Sequence, residues 1–215
     1  MEKHTDITIK APYHTLNELT EKTDTIWLVC HGSGQLAQYF MKKFEVLDAD
    51  KNFIIAPQGL SKFYQENNNF SGRVGATWMT KEDRLTEIAN QQTMLNAIWG
   101  TEVGDVGGRR VVFFGFSQGT ATISRFAAFS KIRFEKLVLW AGGFPPDLPK
   151  GSFDHLSGKE EVQFFLGNED PFIKPEMLDE QLSLVKSTMG IEPKLTTFDG
   201  GHLVMPGMLE GILVS

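Results

Sequence analysis

Arg110-Val111-Val112-Phe113-Phe114-Gly115-Phe116-Ser117-Gln118-Gly119-Thr120-Ala121 is an apolar, β-branched and aromatic run that meets a serine between two glycines. It then turns into a helix-compatible stretch rich in small residues, Thr120 to Phe129. The spacing Gly115-x-Ser117-x-Gly119 reads as a nucleophile elbow, in which a serine sits in a strained conformation where a strand turns into a helix. Small residues two places either side are needed there because neighbouring backbone comes too close for a Cβ. The pattern is short enough to arise by chance, so its weight comes from the buried-strand signature before it and the helical pattern after it.

Working outward, other apolar runs suited to strands covered on both faces lie at Thr25 to Cys30, Asn52 to Ala56, Lys136 to Trp140, Val162 to Leu166 and Lys194 to Phe198. Helical patterns alternate with them. One carries Leu36, Phe40, Phe44 and Leu47; a long one from about Glu82 to Trp99 carries Leu85, Ile88, Ala89, Met94, Leu95 and Ile98; another spans Met177 to Met189. Thr5 to Ile9 and Tyr13 to Leu16, separated by Ala11-Pro12, read as an edge hairpin, and Pro206 to Val214 as a short closing helix. Leu60 to Thr80 is polar and irregular and reads as a long functional or mobile loop. Alternating strands and helices predict an α/β fold, a mostly parallel sheet flanked by helices, with one domain over residues 1–215. Ligands gather at the carboxyl ends of the strands in such sheets, and every chemically loaded tripeptide of this chain falls at one.

A serine hydroxyl needs a base, and the base needs a carboxylate to fix its tautomer. His202, flanked by Gly201 on the loop after the last strand, is the natural base; His4, His14, His31 and His155 are worse placed. Asp170, at the end of the preceding strand, is the leading acid. Asp147 is the alternative one strand earlier, and Asp199, three residues from His202, reads as a turn residue. The order Ser, Asp, His is that of an α/β-hydrolase triad. Oxyanion donors in that arrangement are the N–H after the nucleophile and one from the loop that follows an earlier strand, here Gln118 and Ser33. A competing motif, Gly32-Ser33-Gly34-Gln35-Leu36-Ala37, matches a dinucleotide fingerprint, but the ribose-binding acid is missing where the next strand ends in Ala56-Pro57-Gln58-Gly59.

Composition narrows the partners. A formal charge of −6 without a Lys/Arg cluster argues against nucleic acid or an anionic membrane surface. There is no run of about 18 apolar residues, so no stable membrane insertion is expected. The lone Cys30 cannot form an intramolecular disulfide and reads as a small buried thiol, with the cytoplasm as default location.

Together, His31-Gly32-Ser33-Gly34, Gly115-Phe116-Ser117-Gln118-Gly119, Gly167-Asn168-Glu169-Asp170 and Gly201-His202 resemble the phospholipase/carboxylesterase family of small α/β-hydrolases, which includes acyl-protein thioesterases and bacterial carboxylesterases. The resemblance spans roughly residues 25 to 205. It implies hydrolysis of a small-molecule or lipid-like acyl ester or thioester without metal or organic cofactor. It also implies a hydrophobic acyl groove, to which Trp78-Met79 and Gly143-Phe144-Pro145 correspond. Two loops depart from the family pattern: Asp170-Pro171-Phe172-Ile173-Lys174-Pro175 lacks an early valine-proline pair after the acid, and His202 is followed by the apolar Leu203. Between Gly143 and Glu161 there is too little chain for a helical cap, which predicts an open site bordered by residues 60–80. The rival from another class is a non-catalytic binding protein on the same fold.

Overall fold

The central strand of the molecule is the one that ends at Ser117. In the computed structural model, which describes residues 1, 3–65, 72–172 and 175–214, it is one of seven strands in a single sheet. In chain order these are β1 (Tyr13–Leu16), β2 (Thr25–Cys30), β3 (Asn52–Pro57), β6 (Arg110–Phe116), β7 (Lys136–Trp140), β8 (Glu161–Gly167) and β9 (Lys194–Phe198). They lie side by side as β1-β3-β2-β6-β7-β8-β9, parallel except for β1, which runs antiparallel to β3.

Period-two alternation divides the core. Val111 and Phe113 of β6 face one side with Leu28, Leu137, Leu139 and Phe164. Val112, Phe114 and Phe116 face the other with Trp27, Val138, Trp140 and Phe198. The helices α2 (Arg84–Glu102), α3 (Gln118–Phe129) and α4 (Pro175–Met189) cover the first side, through Leu95, Phe126 and Val185 among others. The short α1 (Ala37–Phe40) and α5 (Leu209–Ile212) cover the second, through Phe40 and Ile212. Both faces are therefore apolar, which is why the strands read as continuous hydrophobic runs. No helix of the described residues is long and apolar enough to cross a membrane.

Four expectations are corrected. Thr5 to Ile9 is not a strand: Ile7 and Ile9 are exposed, and Tyr13–Leu16 pairs with β3 instead of folding back on its own neighbour. The helix expected after Gly34 is α1 followed by a 3-10 turn at Met41–Phe44; Phe40, Phe44 and Leu47 are still buried, with the rings of Phe40 and Phe44 packed edge to face at 5.8 Å. In the described part of residues 60–80, β4 (Ser61–Tyr64) pairs antiparallel with β5 (Val74–Thr77) as a two-stranded ribbon outside the main sheet; Asn67, Asn68, Asn69 and Ser71 lie outside the described residues. In α2 the buried face is Ile88, Gln91, Met94, Leu95, Ile98 and Trp99, while Leu85 and Ala89 face solvent.

The sheet has one place where consecutive connections leave in opposite directions. From β2 the chain passes through α1 to β3 on one side; from β6 it passes through α3 to β7 on the other. A crevice opens above the carboxyl ends at such a switch point. His31-Gly32-Ser33 and Ser117 meet there.

Candidate active site

Ser117 is at the head of α3 with φ 53° and ψ −121°, a conformation that L-residues rarely adopt. The strain is held by close packing. A Cβ on Gly115 would lie 2.5 Å from Thr120 Cα, and one on Gly119 would run into the carbonyl oxygens of Cys30 and His31. Ser117 N–H donates to Trp140 O at 2.9 Å, tying the turn to the end of β7, and its carbonyl accepts from Thr120 N–H at 3.1 Å. The result is a half-buried hydroxyl standing above the sheet.

Two other loops converge on it. His202 Nε2 lies 2.9 Å from Ser117 Oγ, and Nδ1 lies 2.7 Å from Asp170 Oδ2. The pairing sets the tautomer: Nδ1–H donates to the carboxylate, which leaves Nε2 free to accept the serine proton. Asp170 is buried, and its second oxygen accepts the N–H of Phe172 at 2.9 Å. The imidazole is packed by Phe116, centroids 4.9 Å apart, and meets Phe172 edge-on at 4.8 Å. The acid and base loops are joined by main chain, with Asn168 N–H donating to Phe198 O and Glu169 N–H to Gly200 O, both at 2.9 Å. Gly167 is needed at this junction, since a Cβ there would strike Gly200 O. Glu169 is exposed, and Asp199 accepts from Asn168 Nδ2 at 3.0 Å, a further link between the acid and base loops. The remainder of the acid loop, Ile173 and Lys174, lies outside the described residues.

Asp147 is elsewhere. It accepts from Arg125 at 2.7 Å and from Arg84 at 3.1 Å. Burial raises its carboxyl pKa, but the Arg125 hydrogen bond and charge, with Arg84, outweigh this and hold it below the usual carboxylate range. It is a clamp between α3, the start of α2 and the loop after β7.

The amides of Ser33 and Gln118 border the same crevice, and among the described residues neither donates a hydrogen bond. The first N–H groups of a helix have no intrahelical partner and carry its positive end. The Ser33 amide is aimed from below by His31, whose Nδ1–H donates to Gly32 O at 2.7 Å while Nε2 accepts from Gly59 N–H and Gln58 Nε2, each at 3.0 Å. Gly32 C=O and Ser33 N–H are opposite ends of one planar trans peptide, so holding the carbonyl fixes the amide. Burial pushes the His31 pKa down to about 4, which keeps the ring neutral. Sequence reasoning set His31 aside as a base and missed this role; its position directly before Gly32 was the available signal.

The residues assigned to an acyl groove do not line one together. Trp78 is buried, packs at a tilt against His31 with centroids 4.8 Å apart and donates its indole N–H to His31 O at 2.7 Å. Phe144 is buried against Phe153. Met79 is half-buried, with its carbonyl bound by Gln118 Nε2 at 2.7 Å. An apolar cavity of about 70 Å³ lies beside them instead, walled by Gly142, Gly143, Phe164, Leu166, Leu178 and Gln181 between the ends of β7 and β8 and the start of α4. It adjoins the elbow, because a Cβ on Gly142 would meet Ser117 O. Among the described residues no three His, Cys, Asp or Glu side chains converge as a metal ligand set.

Neither a protein-family model nor a curated protein sequence matches the chain. Solved structures do. A carboxylesterase from Mesorhizobium loti superposes with a TM-score of 0.71 over 95% of this chain and 95% of its own, at 15% identity. Acyl-protein thioesterase 2 from Zea mays gives 0.70 over 94% and 96%, also at 15% identity. A Bacillus cereus carboxylesterase gives 0.65 over 94% and 91%, at 14% identity. The chain thus has the α/β-hydrolase fold of the enzymes its motifs resemble, over nearly its whole length and with no large cap domain among the described residues.

Proposed function

We propose that this chain is a serine hydrolase of carboxylic esters or thioesters, built as one α/β-hydrolase domain over residues 1–215 and working through an acyl-enzyme. The observation that carries the reading is the unbroken relay from Ser117 Oγ through His202 to the buried Asp170. Ser117 Oγ attacks the carbonyl carbon while His202 Nε2 takes its proton, and the carbonyl π pair moves to oxygen, facing the amides of Ser33 and Gln118. Collapse breaks the C–O or C–S bond, the His202 proton goes to the leaving alcohol or thiol, and Ser117 is acylated. Water then gives a proton to His202 and its oxygen attacks the acyl carbon; breaking the Oγ–C bond returns the proton to Ser117 and frees the acid.

The acyl arm enters the cavity beside Gly142. At about 70 Å³ it is several times the space that one water needs, about 10–15 Å³, and half of an engineered cavity of about 150 Å³ that holds benzene. A short acyl chain of about three or four carbons is the match.

The test is a fluorophosphonate probe read by intact-protein and peptide mass spectrometry, with aryl esters of increasing acyl length. Labelling at Ser117, its loss in Ser117→Ala, and a fall in kcat of about 10⁴ in Asp170→Asn are expected. Turnover should peak at the short acyl chains. An unlabelled Ser117 with no ester turnover would overturn the reading and leave a binding protein on this fold.

A further inference from the structure

Across the elbow from the small apolar cavity lies a second, wider opening. It is a groove of about 680 Å³ bordered by Gly34 and Gln35 of the loop after β2, by Tyr39, Phe40 and Lys43, and by Arg73 at the start of β5. It begins close to the nucleophile: a Cβ on Gly32 would stand 3.2 Å from Ser117 Cβ, and Gly34 is only two residues, about 7 Å of chain at most, further on. The wall is fixed to the loop that carries the Ser33 amide. Gly34 N–H donates to Ala76 O at 2.8 Å, Ala76 N–H donates to Gln35 O at 3.2 Å, and Gln65 Nε2 donates to Gly34 O. The base is apolar, since buried Phe40 stacks on Phe116 with centroids 6.1 Å apart.

The charge of this groove runs against that of the chain. Asp and Glu outnumber Lys and Arg by 27 to 21 over the whole sequence, yet two cations and no carboxylate are among the groove's described lining residues. Among the described residues neither Lys43 nor Arg73 has an ion-pair partner. The two halves of an ester leave the carbonyl in different directions. With the acyl arm in the cavity beside Gly142, this groove beyond the Ser33 loop is an opening the other half can take.

Resting on the hydrolase reading above, we propose that the groove selects substrates whose alcohol or thiol half carries an anionic group, carboxylate or phosphate, placed against Lys43 and Arg73. Tyr39, exposed at the rim, gives an aromatic face beside that group. The subsite sorts substrates by charge on the leaving half, independently of acyl length.

A matched pair of esters tests this: 4-(butyryloxy)benzoate and its neutral methyl ester, with 4-(butyryloxy)phenyl phosphate as a second anion. Each kcat/KM is normalised to the hydroxide-catalysed rate of the same ester. The anionic esters should be favoured by about tenfold, the scale of two exposed charge pairs acting together, and the faster of them identifies the preferred anion. The ratio should fall to about one in Lys43→Ala/Arg73→Ala and below one in Lys43→Glu/Arg73→Glu. In the unaltered protein it should shrink as ionic strength rises from about 0.01 M to about 1 M, as the screening length contracts from ~30 Å to ~3 Å. Turnover without charge discrimination, or discrimination untouched by salt and by both double variants, overturns the inference while leaving the hydrolase intact. Failure to turn over any of the esters removes both.

Discussion

Gln118 enters the site twice, through its main-chain N–H at the head of α3 and through a side chain bound to three successive residues. Its Oε1 accepts from Thr77 Oγ1 at 2.8 Å and from Trp78 N–H at 2.9 Å, and its Nε2 donates to Met79 O at 2.7 Å. The motif exposes the first role, because the residue after the nucleophile is fixed by local backbone geometry. The second was not legible, since its partners lie about forty positions away and only the fold brings them near. Gln118→Ala strands the Trp78 N–H in a half-buried place and leaves Thr77 Oγ1 and Met79 O with only each other as partners, at 3.1 Å. We expect a loss of about 1–3 kcal/mol in unfolding free energy by urea titration, with a fall in kcat as residues 77–79 detach from α3. Gln118→Glu keeps the acceptor but turns a carboxylate oxygen toward Met79 O, so it should not restore either quantity.

Helix α3 approaches β2 so closely that Gly119 has no room for a side chain; a Cβ there would overlap the carbonyls of Cys30 and His31. Gly119→Ala improves helix propensity by about 1 kcal/mol in isolation, yet the overlap is with backbone that cannot turn away. The clash should dominate, with destabilisation of about 1–3 kcal/mol or more in chemical denaturation, whereas Gly207→Ala, which meets nothing, should be close to neutral. At this scale the central parallel strands were readable because both faces of each are buried, leaving uninterrupted apolar runs such as Thr25–Cys30. The β4–β5 ribbon was not: Lys62, Phe63, Tyr64 and Val74 are exposed, and the buried part of β5 is the small run Gly75, Ala76 and Thr77, so neither strand prints an alternating apolar pattern. The break in α1 was hidden for the opposite reason, since Phe40 and Phe44 are buried in either helical form. Ser117, Asp170 and His202 could be paired in advance because strand order alone puts their loops on one edge of the sheet. Trp78 and Phe144, read as groove residues, are both buried, and the sequence could not show this because an aromatic side chain near a site looks the same in sequence whether it lines a groove or supports a loop.

The ends of β2 and β3 are joined beside the crevice by His31, which binds Gly32 O after β2, Gly59 and Gln58 after β3, and residue 78 through its own carbonyl. Protonation would force a donor against Gly59 N–H, which explains physically why the ring must stay neutral for the crevice to hold. Its pKa in the folded protein is about 4, against 6.5 for an unburied histidine. Between these values the unfolded chain binds more protons than the native one, so stability rises with pH across the window. It is therefore lost as pH falls below 6.5 and levels off below about 4, with a total on the order of 3 kcal/mol. Asp147, Glu160 and Glu161 have lowered carboxyl pKa values, and their contributions begin to be lost at about pH 5, in the lower part of the His31 window, and go on being lost on further acidification. Urea midpoints measured between pH 7.5 and 4 should thus fall steeply for the unaltered protein. His31→Gln should be less stable at pH 7.5, yet its midpoint should change much less between pH 6.5 and 4.5, bringing the two proteins together at low pH. Parallel pH profiles for the two would show that His31 is not the group that couples the crevice to acid.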